Sequence, residues 1–296
     1  MTQPGVSSAP APGRPPEIEE PTNRYFIHPL ARALVSLLVR TPVTPNQVSI
    51  ASVFAAAAAA GCYLELRWPW AALCGLLFQC GWHVLDGADG DLARRTGRAS
   101  PIGELVDGVC DHISQALIYL AFAAILERRI GALAWGLAGA AALSHFLQAN
   151  AFETGRKTYR RWVHGAGWMR QNLEGVRSAG RLQGLLGALY LGVSALTNPK
   201  EESVEAAMAR ATGAGAADQA RSSYRARFAP LVRSSFWLSA NTRTLATFLS
   251  MLAGSPLWFF LFEIVVLNLA LAVLIGLRRR ANAGFADLYA ARPQPH

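Results

Sequence analysis

Only four of the 296 residues are cysteine, Cys62, Cys74, Cys80 and Cys110, and none stands in a C-x-x-C pair. All four lie in or beside apolar stretches, so they read as small buried hydrophobes and not as a disulfide framework or a zinc site. Charge is scarce as well: 16% of residues are charged against 52% hydrophobic, too greasy for an average soluble chain and long enough for a multi-span membrane domain. Acid is the scarcer sign, 19 residues against 28 Lys and Arg. In so apolar a chain, the net +9 is explained by basic loops beside anionic lipid, and nucleic acid is not expected as a partner. Residues 1–22 have almost no large apolar side chains. Pro4, Pro10, Pro12, Pro15 and Pro16, with Glu17, Glu19 and Glu20, predict a disordered tail there. With no basic stretch leading into an apolar run, the tail does not read as a signal peptide.

What the sequence does have is a series of apolar runs. Residues 25–40 alternate apolar clusters with Arg32 and Arg40, which predicts a helix along the membrane interface. Spans are expected at about 48–64, 71–85, 102–126, 132–152, 236–252 and 257–277. The fold class is therefore an all-α integral membrane protein: six transmembrane helices, an N-terminal interfacial helix, and a long polar insertion at about 154–235 between spans four and five. The membrane domain covers 23–281, and 282–296 form a C-terminal tail. Within the insertion, 182–196 reads as an interfacial or re-entrant helix, with a seventh span as the alternative, and 200–210 as a solvated amphipathic helix.

Basic residues set the orientation. With the amino terminus inside, the outer turns hold only Arg67, Arg128 and Arg129 of the 28 Lys and Arg, so both termini and the insertion are expected in the cytoplasm. The same side receives the stretch DGADGDLARRTGRASPIGELVDGVCD, from Asp86 to Asp111. Ionised groups at a membrane boundary are costly unless they bind something. Asp86 and Asp89 are three apart on one helical face, and Asp107 and Asp111 are four apart on the next helix. Four anions so close invite one or two divalent cations, and oxygen-only ligation suits Mg²⁺ or Mn²⁺. Small residues (Gly87, Ala88, Gly90, Ala93) leave room for a bulky ligand, and Arg94 offers a fork for phosphate oxygens. Together these point to chemistry on a phosphate ester or anhydride.

From Asp86 the chain spells D-x2-D-G-x2-A-R-x8-G-x3-D-x3-D, through Asp86, Asp89, Gly90, Ala93, Arg94, Gly103, Asp107 and Asp111, and so resembles the CDP-alcohol phosphotransferase family at every defined position. That resemblance implies an integral membrane enzyme that passes a substituted phosphate from a CDP-linked alcohol or CDP-diacylglycerol to an acceptor alcohol and releases CMP. It also implies a homodimer in the lipid bilayer, in a bacterial-type inner or plasma membrane or an endomembrane, with a cytoplasmic active site. Carried over by position, Asp86, Asp89 and Asp107 are metal ligands, and Asp111 is both a metal neighbour and the general base. Arg94 holds the β-phosphate, Gly90 and Ala93 admit the nucleotide, and Gly103 permits tight helix packing.

The acceptor is less legible. Arg156 and Arg160, in the basic run after the fourth span, and Arg243, in the fifth, are candidates for an anionic acceptor such as an inositol phosphate. Anchoring to anionic headgroups explains the basic run equally well, and an Arg243–Glu263 pair that only stabilises the bundle is the alternative for Arg243. His83, His112 and His145 read as hydrogen-bonded structural residues. An aminoalcohol phosphotransferase of the CDP-choline or CDP-ethanolamine type is the second reading. A divalent-cation transporter, a third, accounts for the carboxylates but not for Arg94, since an arginine opposes cation passage.

Overall fold

The computed structural model describes residues 15–65, 67–165, 192–193 and 195–290. Among these residues the chain forms helices and no strand. A 3-10 turn (Pro16–Ile18) and a π turn (Asn23–Ile27) lead into α1 (His28–Leu38), α2 (Pro45–Glu65), α3 (Trp70–Arg95), α4 (Pro101–Ile130) and α5 (Leu133–His164). After these come α6 (Glu201–Gly213), α7 (Ala217–Ser234), a second 3-10 turn (Ser235–Leu238) and α8 (Ala240–Leu252). The last elements, α9 (Leu257–Leu261), a π turn (Phe262–Val266) and α10 (Leu267–Ala290), run on as one helix.

Three helical runs are long and apolar enough to cross a membrane: Pro45–Glu65, Ile102–Ile130 and Leu257–Ala290. Helices α3 and α5, of 26 and 32 residues, match them in length but carry charge clusters in their last turns. The expected span at 236–252 is interrupted. Ser239 is extended (ψ 163°) and its side chain accepts the Thr242 N–H, capping a new helix, so α8 has only 13 residues, about 20 Å.

Small residues bring the helices together. A Cβ on Gly75 of α3 would lie 2.1 Å from the Tyr63 ring of α2, so that crossing requires glycine. Tyr63, Phe122 and Phe259 then pack edge to face, with centroids 5.2 and 5.5 Å apart, at the centre of the bundle core.

A second apolar core lies outside the bundle, where the end of α5, α6, α7 and the end of α10 enclose Tyr159, Val204, Tyr224 and Phe285. The described part of the insertion is thus a helical subdomain. It recruits residues expected in tails: Phe285 and Tyr289 are buried in it, and so is Ile18, which places 15–22 in the packed structure. Most of 182–196, expected as an interfacial or re-entrant helix, lies outside the described residues.

A candidate metal and phosphate site between α3 and α4

The span expected at about 71–85 stops short of the motif. Instead α3 continues to Arg95. Asp91 lies 3.0 Å from Arg95 Nε and 3.8 Å from Arg94 Nη2, pairs that support the last turn, while both arginines meet the negative end of the helix dipole. Gly97, at φ 66°, ends the run. Ser100 Oγ then accepts the Gly103 N–H at 3.0 Å and, with Pro101 behind it, starts α4.

This unbroken geometry aims the aspartates at one another. Asp86, Asp107 and Asp111 each offer an oxygen, and these atoms all lie within 4.8 Å of one another. Asp111 contacts Asp86, and its Oδ1 is buried with no hydrogen-bond partner among the described residues. Asp89 stands behind this trio, against Asp107, and is only 4% exposed. It accepts the Ser49 hydroxyl of α2 at 2.5 Å and the Gly90 N–H at 2.5 Å. An orphaned carboxylate oxygen among crowded carboxylates fits a hard divalent cation, whose preferred ligands are oxygens. Sequence reasoning did not single out Ser49. Its signal was a hydroxyl, that of one of two serines on the alanine-rich α2.

The remaining motif residues frame the cluster. Arg94 is half exposed and folds back over Gly90, where a Cβ would lie 3.3 Å from its Nη1. Gly103 faces Asn46 of α2, where a Cβ would make an ordinary contact, 3.7 Å from Asn46 Oδ1. Ala93 is half-buried on the same turn as Arg94.

The three candidate acceptor residues separate. Arg156 Nη1 donates to Glu153 Oε1 at 2.9 Å, and Glu153 is within electrostatic reach of Asp111, so this pair borders the cluster. Arg160, half-buried, follows one turn later. Arg243 does not line the cluster: it is 3% exposed, and all three of its nitrogens are engaged inside the bundle. Its Nε donates to Glu263 Oε1 at 3.1 Å, its Nη2 to Gln148 Oε1 at 2.6 Å and its Nη1 to the Leu238 carbonyl. The Arg243–Glu263 pairing, the alternative for this residue, accounts for its donors in this arrangement. The histidines follow the same pattern, with His83 on Thr244 Oγ1 at 2.8 Å and His145 on the Tyr119 hydroxyl at 3.2 Å.

Residues 42–172 match the family model described as CDP-alcohol phosphatidyltransferase. The chain is 33% identical over 180 residues to the bifunctional IPC transferase and DIPP synthase of Rubrobacter xylanophilus, covering 60% of this chain and 40% of that protein. It is 38% identical over 90 residues to the archaetidylinositol phosphate synthase of Aeropyrum pernix, covering 30% and 44%. A shorter match, 45% over 51 residues, is to cholinephosphotransferase 1 of Gallus gallus and covers 17% and 15%. In each case the match spans less than half the length of the relative. No solved structure matches the chain.

Proposed function

We propose that the chain, whose residues 42–172 match the CDP-alcohol phosphatidyltransferase family model, is a phosphotransferase of that family and moves a substituted phosphate from a CDP-linked alcohol or CDP-diacylglycerol to an acceptor hydroxyl, releasing CMP. The convergence of Asp86, Asp107 and Asp111 carries this reading. These three, with Asp89 behind them, would hold Mg²⁺ or Mn²⁺, as one ion or two. The bound metal would neutralise the pyrophosphate and stabilise the departing CMP.

The other steps fall to the protein. Arg94, half exposed beside Gly90, orients the β-phosphate through paired N–H donors. The acceptor oxygen attacks the β-phosphorus, and the bond from that phosphorus to the bridging oxygen breaks. CMP leaves with the bridging oxygen. Asp111 takes the acceptor's proton, a role suited to a carboxylate with one unpartnered oxygen. Arg156 and Arg160 favour an anionic acceptor, a phosphorylated polyol, and two of the relatives matched carry an inositol-related or IPC activity in their names. The six-span topology, the homodimer and the cytoplasmic placement of the site belong to the same proposal, with α3, α5 and α8 completing the three apolar crossings.

The test is CMP release by the purified protein, with CDP-inositol, CDP-diacylglycerol and CDP-choline each offered against phosphorylated and unphosphorylated acceptors. Release should require Mg²⁺ or Mn²⁺, and should fall about 100-fold or more in Asp111→Asn. Full turnover in chelator, or an unphosphorylated acceptor winning with every donor, would defeat the metal and acceptor parts respectively.

A further inference from the structure

Glu17 does not behave as part of a loose tail. Its Oε1 receives the Tyr159 hydroxyl at 3.4 Å and lies 3.1 Å from His164 Nε2 and 3.6 Å from Arg225 Nε. Its carbonyl accepts Arg233 Nε at 2.9 Å. Tyr159 is fully buried, and burial, then the charge of Glu17, pushes its hydroxyl up to about 12, so it remains a donor. Burial pushes the Glu17 carboxyl up, but its backbone hydrogen bond, His164 and Arg225 outweigh this and hold it below the ordinary value. Three groups from two helices meet the Glu17 carboxylate, as they would an anionic ligand, and a fourth, Arg233, meets its backbone carbonyl.

The surroundings are larger than one carboxylate needs. Glu17 sits in an open cavity of about 440 Å³, with His164, Arg225 and Arg233 on its walls and Ala226, Ala229 and Pro230 between them. Glu17 is the only acid among the lining residues, so the walls keep an excess of cationic groups even with the carboxylate in place. Arg225 faces the Glu17 carboxylate and Arg233 its backbone carbonyl, so two guanidinium forks line one cavity, a pair suited to phosphate oxygens.

We propose that this cavity between α5 and α7 is a phosphate-binding site, separate from the aspartate cluster, and that Glu17 is its internal competitor. The phosphate belongs to a lipid headgroup or to a soluble phosphate compound. Two residues beyond Glu17, Glu19 Oε1 lies 2.5 Å from His28 Nδ1, and Glu20 Oε2 accepts Asn241 Nδ2 at 2.9 Å. His28 opens α1, which packs on α3 beside Asp86: a Cβ on Gly87 would lie 3.5 Å from Ala31. Displacing Glu17 therefore opens the first of three clasps on a short strap that ends against the helix bearing the aspartates.

The experiment is hydrogen exchange of residues 16–24 in the full chain, in neutral detergent titrated with inorganic phosphate and in nanodiscs of phosphatidylcholine with or without phosphatidylglycerol. Phosphate should speed exchange of this segment in the native protein. Glu17→Gln, with the competitor weakened, should exchange faster at the start and bind phosphate about five-fold more tightly or better. Arg225→Ala/Arg233→Ala, both on exposed positions of α7, should abolish the response while leaving exchange of α2 to α4 unchanged. A response to inorganic phosphate assigns the site to a soluble ligand, and a response to phosphatidylglycerol alone assigns it to a headgroup. No response in either arm, or a response that survives the double substitution, overturns the proposal.

Discussion

Ser49 and Asp89 are forty positions apart in sequence and 2.5 Å apart in the structure, and both are buried. The Ser49 hydroxyl on Oδ2, with the Gly90 N–H on Oδ1, fixes which way the Asp89 carboxylate points, and hence which lone pairs face a metal. Outer partners of this kind are typically worth about 10–100-fold in metal affinity. Ser49→Ala should therefore weaken Mn²⁺ binding, read directly by electron paramagnetic resonance of the free ion, by at least about ten-fold, and should shift the metal dependence of turnover in parallel. Ser49→Thr keeps the hydroxyl and should recover most of the affinity. If Ser49→Ala lowers thermal stability but leaves Mn²⁺ affinity intact, the serine is only packing. At this scale the aspartates were legible because their spacing is local to two helices. Ser49 was not, since nothing in an alanine-rich stretch says which neighbour its hydroxyl meets. Glu17 was misread for a related reason: prolines and acids in a row look solvated until a basic pocket 147 residues away is brought to them.

Among the elements, the run from Leu257 to Ala290 shows how buried charge is managed. The π turn at Phe262–Val266 holds Glu263, which is fully buried against Arg243 of α8, and Gln148 of α5 reaches the same guanidinium. Gln148 also donates to the Glu263 carbonyl at 3.0 Å and to Asn268 Oδ1 at 2.9 Å, tying three helices through one polar knot. Removing one member of a buried pair strands the other charge, at a cost of about 3–5 kcal/mol, whereas replacing both with apolar groups of similar volume is often tolerated. Arg243→Ala should lower the melting temperature in detergent sharply, and Arg243→Met/Glu263→Leu should restore much of it. Where Arg243→Ala retains turnover, the KM values for donor and acceptor should change together; a selective rise for the acceptor would return Arg243 to the site. The sequence left both roles open because an arginine and a glutamate on successive spans can pair or can face a cavity. Which occurs is decided by a third helix, through Gln148. The apolar run stops near residue 85, so hydropathy did not show that α3 continues to Arg95. The Asp91 pairs with Arg94 and Arg95 and the favourable dipole position of those arginines hold that last turn, and the aspartates of α3 depend on it.

For the whole molecule, the helices sort their ends into two faces. The start of α2, the end of α3, the start of α4 and the end of α5 carry the aspartate cluster and its basic border. The strap joins that face to the start of α8 through Glu20 and Asn241, and to the helical subdomain through Glu17. At the other end, the Trp68 indole donates to the Leu252 carbonyl at 3.0 Å, linking the α2–α3 turn to the end of α8. Trp68, Trp70, Trp135 and Trp258 are all exposed at that end, as interfacial anchors would be. Among the described residues, the turns at that face hold only Arg67, Arg128 and Arg129 of the Lys and Arg. On the proposed six-span topology, the positive-inside rule predicts the aspartate cluster, the subdomain and the strap on the cytoplasmic side. Single cysteines introduced at Arg95, Arg129 and Arg279, in a background with the four native cysteines replaced by alanine, test this with a membrane-impermeant maleimide. In intact cells only the cysteine at 129 should react, and in inverted vesicles those at 95 and 279 should react while the one at 129 is protected. Labelling of position 95 from outside would reverse the orientation and put the aspartates on the wrong side for a CTP-derived substrate. If 95 and 279 label from opposite sides, the number of crossings between them is odd, and either α8, at about 20 Å, fails to cross or 182–196 crosses as a seventh span.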